Sequence, residues 1–321
     1  MITVLMPVYN AARILGPSVQ SILSQSFSDF ELLIADDGST DDTEQMVGSF
    51  ADPRIRYIRF PHRGLPETLN DGLNSASFDI VARMDAGDLA HPDRLAFQYA
   101  EMAKNPENTV IATGYAVFSG DRIRYTIRRR RTGVLDPSAL ALHVPFAHSS
   151  VMYRKSFIGA NGGYRHGDVE DYDLWLRVVA KARFLVLHDV LMYTEYTEGR
   201  LSTLNAAAKY SAIYRIQEQY YNDMHEYFPM SDIEERFTRG WREYFFGDPQ
   251  SARFWWVRTG RRLFLRPRVW AAWCVSFLPK HWIVALHEQR IRLQLEYFSG
   301  YFTAENRAVR SRFTILNKGA A

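Results

Sequence analysis

Residues 78–94 read FDIVARMDAGDLAHPDR. The apolar run Ile80, Val81, Ala82 predicts a buried strand. Two carboxylates, Asp85 and Asp88, follow where that strand ends, with Ala86 and Gly87 between them and Pro92 beyond. Carboxylates in a loop of small residues at the carboxyl end of a strand suit a hard cation or the hydroxyls of a ligand. Asp and Gly are also ordinary turn formers, so by itself the stretch fits a solvated turn as well.

The neighbouring segments favour a ligand loop. The amino terminus, ITVLMPVYN, is apolar enough for a buried parallel strand that ends at Pro7 and leaves Val8, Tyr9 and Asn10 as a loop. A helix should follow, because Leu15, Val19, Ile22 and Leu23 share one face, with Pro17 in its first turn. A second strand over residues 30–35 runs into Asp36, Asp37, Gly38, Ser39 and Thr40, where either hydroxyl can cap a helix starting near Asp41. Strand, helix, strand, helix with short links predicts an α/β fold, a mostly parallel sheet with helices on both faces. Ligands of such sheets lie beyond the carboxyl ends of the strands, where Tyr9, Asp37 and Asp85 all fall.

Five segments, in order, now carry a likeness: MPVYN, QSFSDFELLIADDGSTDDT, ARMDAGDLAHPDRL, HSSVM and VEDYDLWLRV. Together they resemble the motifs of family 2 glycosyltransferases over residues 1–202. The resemblance implies the GT-A fold (Rossmann-like) and inverting transfer from a nucleotide-diphosphate sugar. It places Tyr9, after Pro7, against the nucleobase, with Asp37 accepting from the ring N–H and Asp36 shaping that pocket. It brings Asp85 to the ribose or a metal, lets Arg94 brace the acidic loop, sets His148 near the diphosphate or acceptor, and makes Asp171 the general base. The chemistry is coherent, since an acceptor hydroxyl must lose its proton as it attacks and the leaving diphosphate must be stabilised. Each residue also has a plainer reading: Glu170 and Asp171 as first-turn acids, His148 as a structural side chain, Tyr9 as loop packing.

Two departures from the family pattern stand out. The second acid of the usual Asp-x-Asp, which holds Mn2+ or Mg2+, is Gly87 here, and Asp88 comes one residue later, where a flexible glycine would let it swing toward the metal. A divalent cation held by Asp85 and Asp88 is therefore expected. Near residues 194–202, TEYTEGRLS, Glu195 and Thr197 stand where relatives carry Arg and His, and Arg200 is the candidate to supply the missing positive charge.

The chain has 321 residues, 47% of them hydrophobic, which allows one large domain with an appendage. The reading places a catalytic domain over residues 1–204 and a helical, basic, Trp-rich region over 205–321. A lone cysteine, Cys274, rules out an internal disulfide and fits a reducing compartment, and the start lacks the features of a secretory signal. The net charge of +3 is unevenly spread. Arg122, Arg124 and Arg128 to Arg131 follow a strand expected over 110–118 and predict a basic hairpin, either a solvated edge or a contact for an anionic acceptor or lipid headgroups. Further along, Trp255, Trp256, Trp270, Trp273 and Trp282 alternate with arginines, the composition of an interfacial membrane binder. The plainer alternative is packing on the catalytic domain or pairing with another copy. No nucleic-acid motif accompanies the charge. The expected protein is a transferase on the cytoplasmic face of the membrane, adding a sugar to a saccharide or lipid-linked acceptor of a surface glycan. The alternative is a catalytically silent nucleotide-sugar binder, for which Gly87 is the supporting oddity.

Overall fold

Strand β1 (Ile2–Val8) is buried along its whole length, as its apolar sequence requires. A computed structural model describes residues 1–119, 122–135, 140, 144–165, 169–195 and, further on, 212, 213, 215–217, 219, 220, 239, 240, 243, 249–257, 274 and 277. Alternate side chains of β1 enter two cores. Ile2, Val4 and Met6 pack with Leu15, Val19 and Ile22 of α1 (Ala12–Leu23) and Leu95 and Met102 of α4 (Arg94–Lys104). Leu5, on the other face, joins Leu69 and Leu73 of α3 (Leu65–Ser75) and Leu174 and Trp175 of α6 (Glu170–Val178). A Cβ on Gly72 would lie 2.5 Å from the Leu5 side chain, so glycine is what lets α3 approach the sheet. Replacing Leu5 by Ala at this junction would cost about 2–5 kcal/mol.

β1 pairs in parallel with β2 (Phe30–Asp36) on one side and β4 (Ile80–Arg83) on the other, and β2 pairs in parallel with β3 (Ile55–Arg59). The short helix α2 (Thr43–Gly48) lies between β2 and β3 in the chain. The order β3-β2-β1-β4 reverses direction at β1, and the crevice between β1 and β4 at their carboxyl ends is where such sheets bind ligands. Beyond β4 come β9 (Met152–Arg154), β6 (Val110–Ser119), β10 (Phe184–Glu195) and β5 (Asp88–Ala90). β9 is antiparallel to β4, so the turn before it enters from the carboxyl edge.

Only the turn Met84 to Gly87 joins β4 to β5, although three strands lie between them in the sheet. A flat sheet would separate them by about 19 Å at roughly 4.8 Å per strand, more than this turn can span. The sheet therefore curls, and β10 bends where its register slips between Val186, Val190 and Met192. The curl folds β5 and the upper half of β10 back over the carboxyl edge.

Strand β1 runs through Pro7 to Val8 and does not stop at the proline. The Asp37 amide donates to Val8 O, so Val8 faces β2 and Pro7 faces the opposite side, where pairing with β4 has already ended at Leu5 and Arg83. Its missing N–H costs nothing there. Pro17 sits in the second turn of α1. The expected hairpin is present as β6 and β7 (Arg122–Ile127), after which β8 (Gly133–Val134) pairs with β10. Helix α5 (Lys155–Ala160) follows β9. In the carboxyl-terminal region helix α7 (Pro249–Val257) is described, and Ile216 and Tyr220 pack into the core against α6, the Tyr220 hydroxyl donating to Asp173 at 3.0 Å. Most of 205–321, including Trp270, Trp273 and Trp282 of the Trp- and Arg-rich stretch, lies outside the described residues, while Trp255 and Trp256 fall in α7. Among the described residues no helix is long and apolar enough to cross a membrane.

Candidate active site

The loops after β1 and β2 are tied together by short polar side chains. Asn10 has φ +49, a conformation Asn tolerates better than most residues. Its side-chain oxygen accepts from the amides of Thr40 (2.8 Å) and Asp41 (3.3 Å), while its own amide donates to Ser39 Oγ (2.9 Å). Ser39 does not cap a helix, because its hydroxyl (2.6 Å) and amide (2.8 Å) both donate to Asp36. Asp36 is fully buried and also accepts from the Tyr57 hydroxyl. Burial and that carboxylate together raise the Tyr57 pKa, so the phenol remains a donor. Asp36 thus ties Ser39 and Tyr57 together beneath the loop.

Asp37 is 5% exposed, and its carboxylate accepts from the amides of Arg63 (2.8 Å) and Gly64 (3.0 Å) and from His62 Nδ1 (2.8 Å). Gly38 has φ +73, and a Cβ there would meet the His62 amide at 3.0 Å, so the close approach of these two loops requires glycine. Tyr9 is 48% exposed at the mouth, its ring stacked on His62.

Asp85 follows β4 on the same edge, one strand position beyond β1 and so roughly 10 Å across the sheet from the Asp37 position. Its carboxylate pairs with Arg83, whose side chain is 2% exposed, while that of Asp85 is 40% exposed. Burial opposes the charge on Arg83, but Asp85 outweighs it and raises the guanidinium above its ordinary value. Arg94 is also fully buried and makes no surface for a donor. It braces the loop from behind, donating to Arg83 O (2.6 Å), Val151 O (3.3 Å) and Gln98 Oε1 (3.0 Å). Burial, reinforced by Arg83, lowers Arg94 to about 9, which leaves it charged at neutral pH.

Asp88 does not face the cleft with Asp85. It lies in β5, 2% exposed, and accepts from Ser149 Oγ (2.6 Å) and Thr194 Oγ1 (3.2 Å). Gly87 has φ +89, and its amide donates to Ser18 Oγ at 2.8 Å, which fixes the turn that sends Asp88 into the sheet. Among the described residues no cluster of three or more His, Cys, Asp or Glu could hold a metal by itself.

His148 opens a single 3-10 turn (His148–Ser150) ahead of β9. Its side chain is 8% exposed, with Nδ1 3.5 Å from Glu170 Oε1. Burial and Arg83 push His148 down to about 3, so the ring is neutral and this contact is not an ion pair. With the Tyr164 hydroxyl donated to Tyr153 (3.0 Å), the 3.1 Å contact to Tyr164 is made by a donated His148 Nε2–H. Desolvation raises both phenols, Tyr153 to about 12. The 3.5 Å approach to Glu170 sets His148 against the first turn of α6.

The acids of α6 then separate by environment. Asp173 is fully buried on Arg177 (2.7 Å) and Tyr220, and Glu170 is 8% exposed beside His148. Asp171 keeps partial exposure at the first turn, where one oxygen accepts from the Tyr172 amide (2.7 Å). Arg200 lies outside the described residues. Sequence reasoning did not single out Arg83, His62, Tyr164 or Ser149. The one local signal was Arg83, a cation inside an otherwise apolar strand.

The sequence profile of Glycosyl transferase family 2 matches residues 3–159. The O-antigen biosynthesis glycosyltransferase WbnJ of Escherichia coli is 30% identical over 188 residues, covering 56% of this chain and 72% of WbnJ. The chain belongs to glycosyltransferase family 2 and is a nucleotide-sugar glycosyltransferase. Its fold is similar to that of S. aureus TarS 1–349, solved with UDP-GlcNAc, with a TM-score of 0.62, 17% identity, and coverage of 86% of this chain and 79% of that one. It is also similar to the mannosyltransferase PcManGT of Pyrobaculum calidifontis, solved with GDP-Man and Mn2+, with a TM-score of 0.56, 17% identity, and coverage of 94% and 87%.

Proposed function

We propose that this protein transfers a sugar from a UDP-sugar, with inversion, to a hydroxyl of a saccharide or lipid-linked acceptor in surface-glycan synthesis. One observation carries the reading. Asp85, paired with Arg83 at the carboxyl end of β4, and Asp171, next in α6 to the Glu170 that lies 3.5 Å from buried His148, are partly exposed carboxylates from distant segments, on the edge that Tyr9 and Asp37 also occupy. Asp171 takes the acceptor proton as the acceptor oxygen bonds to the anomeric carbon. The bond from that carbon to the diphosphate oxygen breaks, and its electron pair leaves with the nucleotide. One base and in-line attack give inversion, without a carboxylate nucleophile. Neutral His148 and Tyr164 hold the floor between the two acids and are not themselves proton carriers in this scheme.

The residues fit a divalent cation of one kind. Asp85 would be the residue that holds Mn2+ or Mg2+, since such ions in phosphate sites are bound through one or two carboxylates. Asp88, committed to two hydroxyls, does not fit as a second ligand. When bound, the cation would neutralise charge on the departing diphosphate. Arg200 adds positive charge to the same group, and Arg200→Ala should slow turnover.

Residues 1–204 form the catalytic unit on this reading, completed by Ile216 and Tyr220 packed on α6, and the arginine-rich β6–β7 ribbon faces anionic lipid at the cytoplasmic face of a membrane. WbnJ acts in O-antigen biosynthesis by its name, which supports a surface-glycan role. Thermal-shift screening against UDP, GDP and dTDP with Mn2+, followed by turnover of the matching nucleotide sugars, tests the assignment. Asp171→Asn should lower kcat by about 10²- to 10⁴-fold with the donor KM little changed. Unchanged kcat would remove Asp171 as the base.

A further inference from the structure

Tyr9 and His62 hold their rings nearly parallel, 4.3 Å between centroids and 15° between planes. The His62 side chain is 56% exposed, so nothing packs it there from outside. Its Nδ1 faces two acceptors, Asp37 Oδ2 (2.8 Å) and Asp37 O (3.0 Å), and must therefore carry the hydrogen. A flat ring on Tyr9 donating one ring N–H to Asp37 is the same set of contacts that a uracil ring would make at this place.

We infer that His62 occupies the nucleobase position in the donor-free protein and exchanges with the base when the nucleotide binds. The inference rests on the reading of Tyr9 and Asp37 as the base site. The exchange needs only one exposed side chain to rotate. The loop backbone stays anchored, because the amides of Arg63 and Gly64 remain on the Asp37 carboxylate and the Phe60 amide on Asp36 O (2.7 Å). When His62 leaves, Oδ2 is open to a ring N–H. Uracil and thymine present one at N3, whereas cytosine presents a lone pair there that a carboxylate repels. His62 and Asp37 thus make a filter for bases with a ring N–H, and the filter weakens the nucleotide's apparent affinity by the fraction of protein in which the slot is filled.

Isothermal titration with UDP and CDP tests this on the full chain and on His62→Ala and Tyr9→Ala, with the His62 ring resonances of the wild type followed by NMR. His62→Ala should bind UDP more tightly, on the order of 3- to 30-fold, as the competing state is removed. Tyr9→Ala should bind it more weakly, CDP should bind the wild type far more weakly than UDP, and UDP should shift the His62 resonances. If Tyr9→Ala weakens UDP but His62→Ala leaves it unchanged or weaker, the exchange is wrong and the base site stands. If Tyr9→Ala has no effect, the base site is elsewhere and the exchange falls with it. Static His62 resonances, or equal binding of CDP, would overturn the proposal without reference to any variant.

Discussion

The carboxylate of Asp85 rests on the guanidinium of Arg83, a side chain 2% exposed beneath a partner that is 40% exposed. The pair joins the strand interior to the cleft. Arg83 anchors one oxygen of Asp85 at the carboxyl edge, while Asp85 supplies the charge that a buried guanidinium needs.

Removing either partner should therefore have different consequences. Asp85→Asn leaves Arg83 without its anion and should destabilise the protein by roughly 1–3 kcal/mol, less than for a fully buried pair because Asp85 is partly hydrated. Arg83→Met together with Asp85→Asn should recover much of that loss, read as the melting temperature, and recover no transferase activity. If the double variant were as unstable as Asp85→Asn, the pair would not be the reason.

Cation dependence should follow Asp85 and not Asp88. Mn2+ is expected to tighten UDP binding to the wild type. Asp85→Asn should abolish that effect, whereas Asp88→Asn, which keeps an oxygen for Ser149 and Thr194, should retain it. Asp88→Ala strands two hydroxyls and should cost about 1–3 kcal/mol of stability. Titration of UDP with and without Mn2+ reads the two Asn variants, and urea unfolding reads Asp88→Ala. A lost Mn2+ response in Asp88→Asn would return that residue to the metal site.

The contrast between Asp85 and Asp88 shows how far the sequence could be read. The strand, the small-residue turn and the acids were legible in residues 78–94, because apolar runs and turn formers act locally. The burial of Asp88 was not. It depends on Thr194 of β10 and on Ser149, partners brought there by the curl of the sheet. Pro7 is a second case, since its effect on β1 depends on which neighbour its missing amide faces. His62 is a third: a histidine in Pro-His-Arg-Gly says nothing until Tyr9 lies over it. The acids of α6 were recognisable as a group from the motif, but which of them stays hydrated is decided by Arg177, Tyr220 and His148.

The β6–β7 ribbon rises beyond the acidic loop, since Val117 of β6 pairs with Thr194, whose hydroxyl reaches Asp88. Arg128, Arg130 and Arg131 are exposed at its base. If the ribbon meets anionic lipid, changing all three to Gln should weaken binding to phosphatidylserine vesicles by about 1 kcal/mol per residue, and added salt should weaken the wild type likewise. Co-sedimentation measures both. Binding to neutral vesicles of equal strength would show that the arginines do not provide the contact.

The pH dependence of stability should report His148. Its folded pKa of about 3 lies below the ordinary value near 6.5, because burial and Arg83 disfavour the charged ring. Below about pH 6.5 the unfolded chain takes up a proton that the folded chain refuses until about pH 3. The stabilisation is therefore complete above the unfolded pKa and is lost as the pH falls through that window, at up to about 1.4 kcal/mol per pH unit. His148→Gln keeps a polar group for Tyr164 and cannot titrate. Urea unfolding between pH 4.5 and 7.5 should show a steeper decline for the wild type than for His148→Gln. Parallel curves would mean that the folded ring takes up its proton at the same pH as the unfolded chain, and a shallower decline than that of His148→Gln would mean that the ring is charged in the folded protein. Glu170 would then be its ion-pair partner, and the floor of the cleft would carry a mobile proton between Asp85 and Asp171.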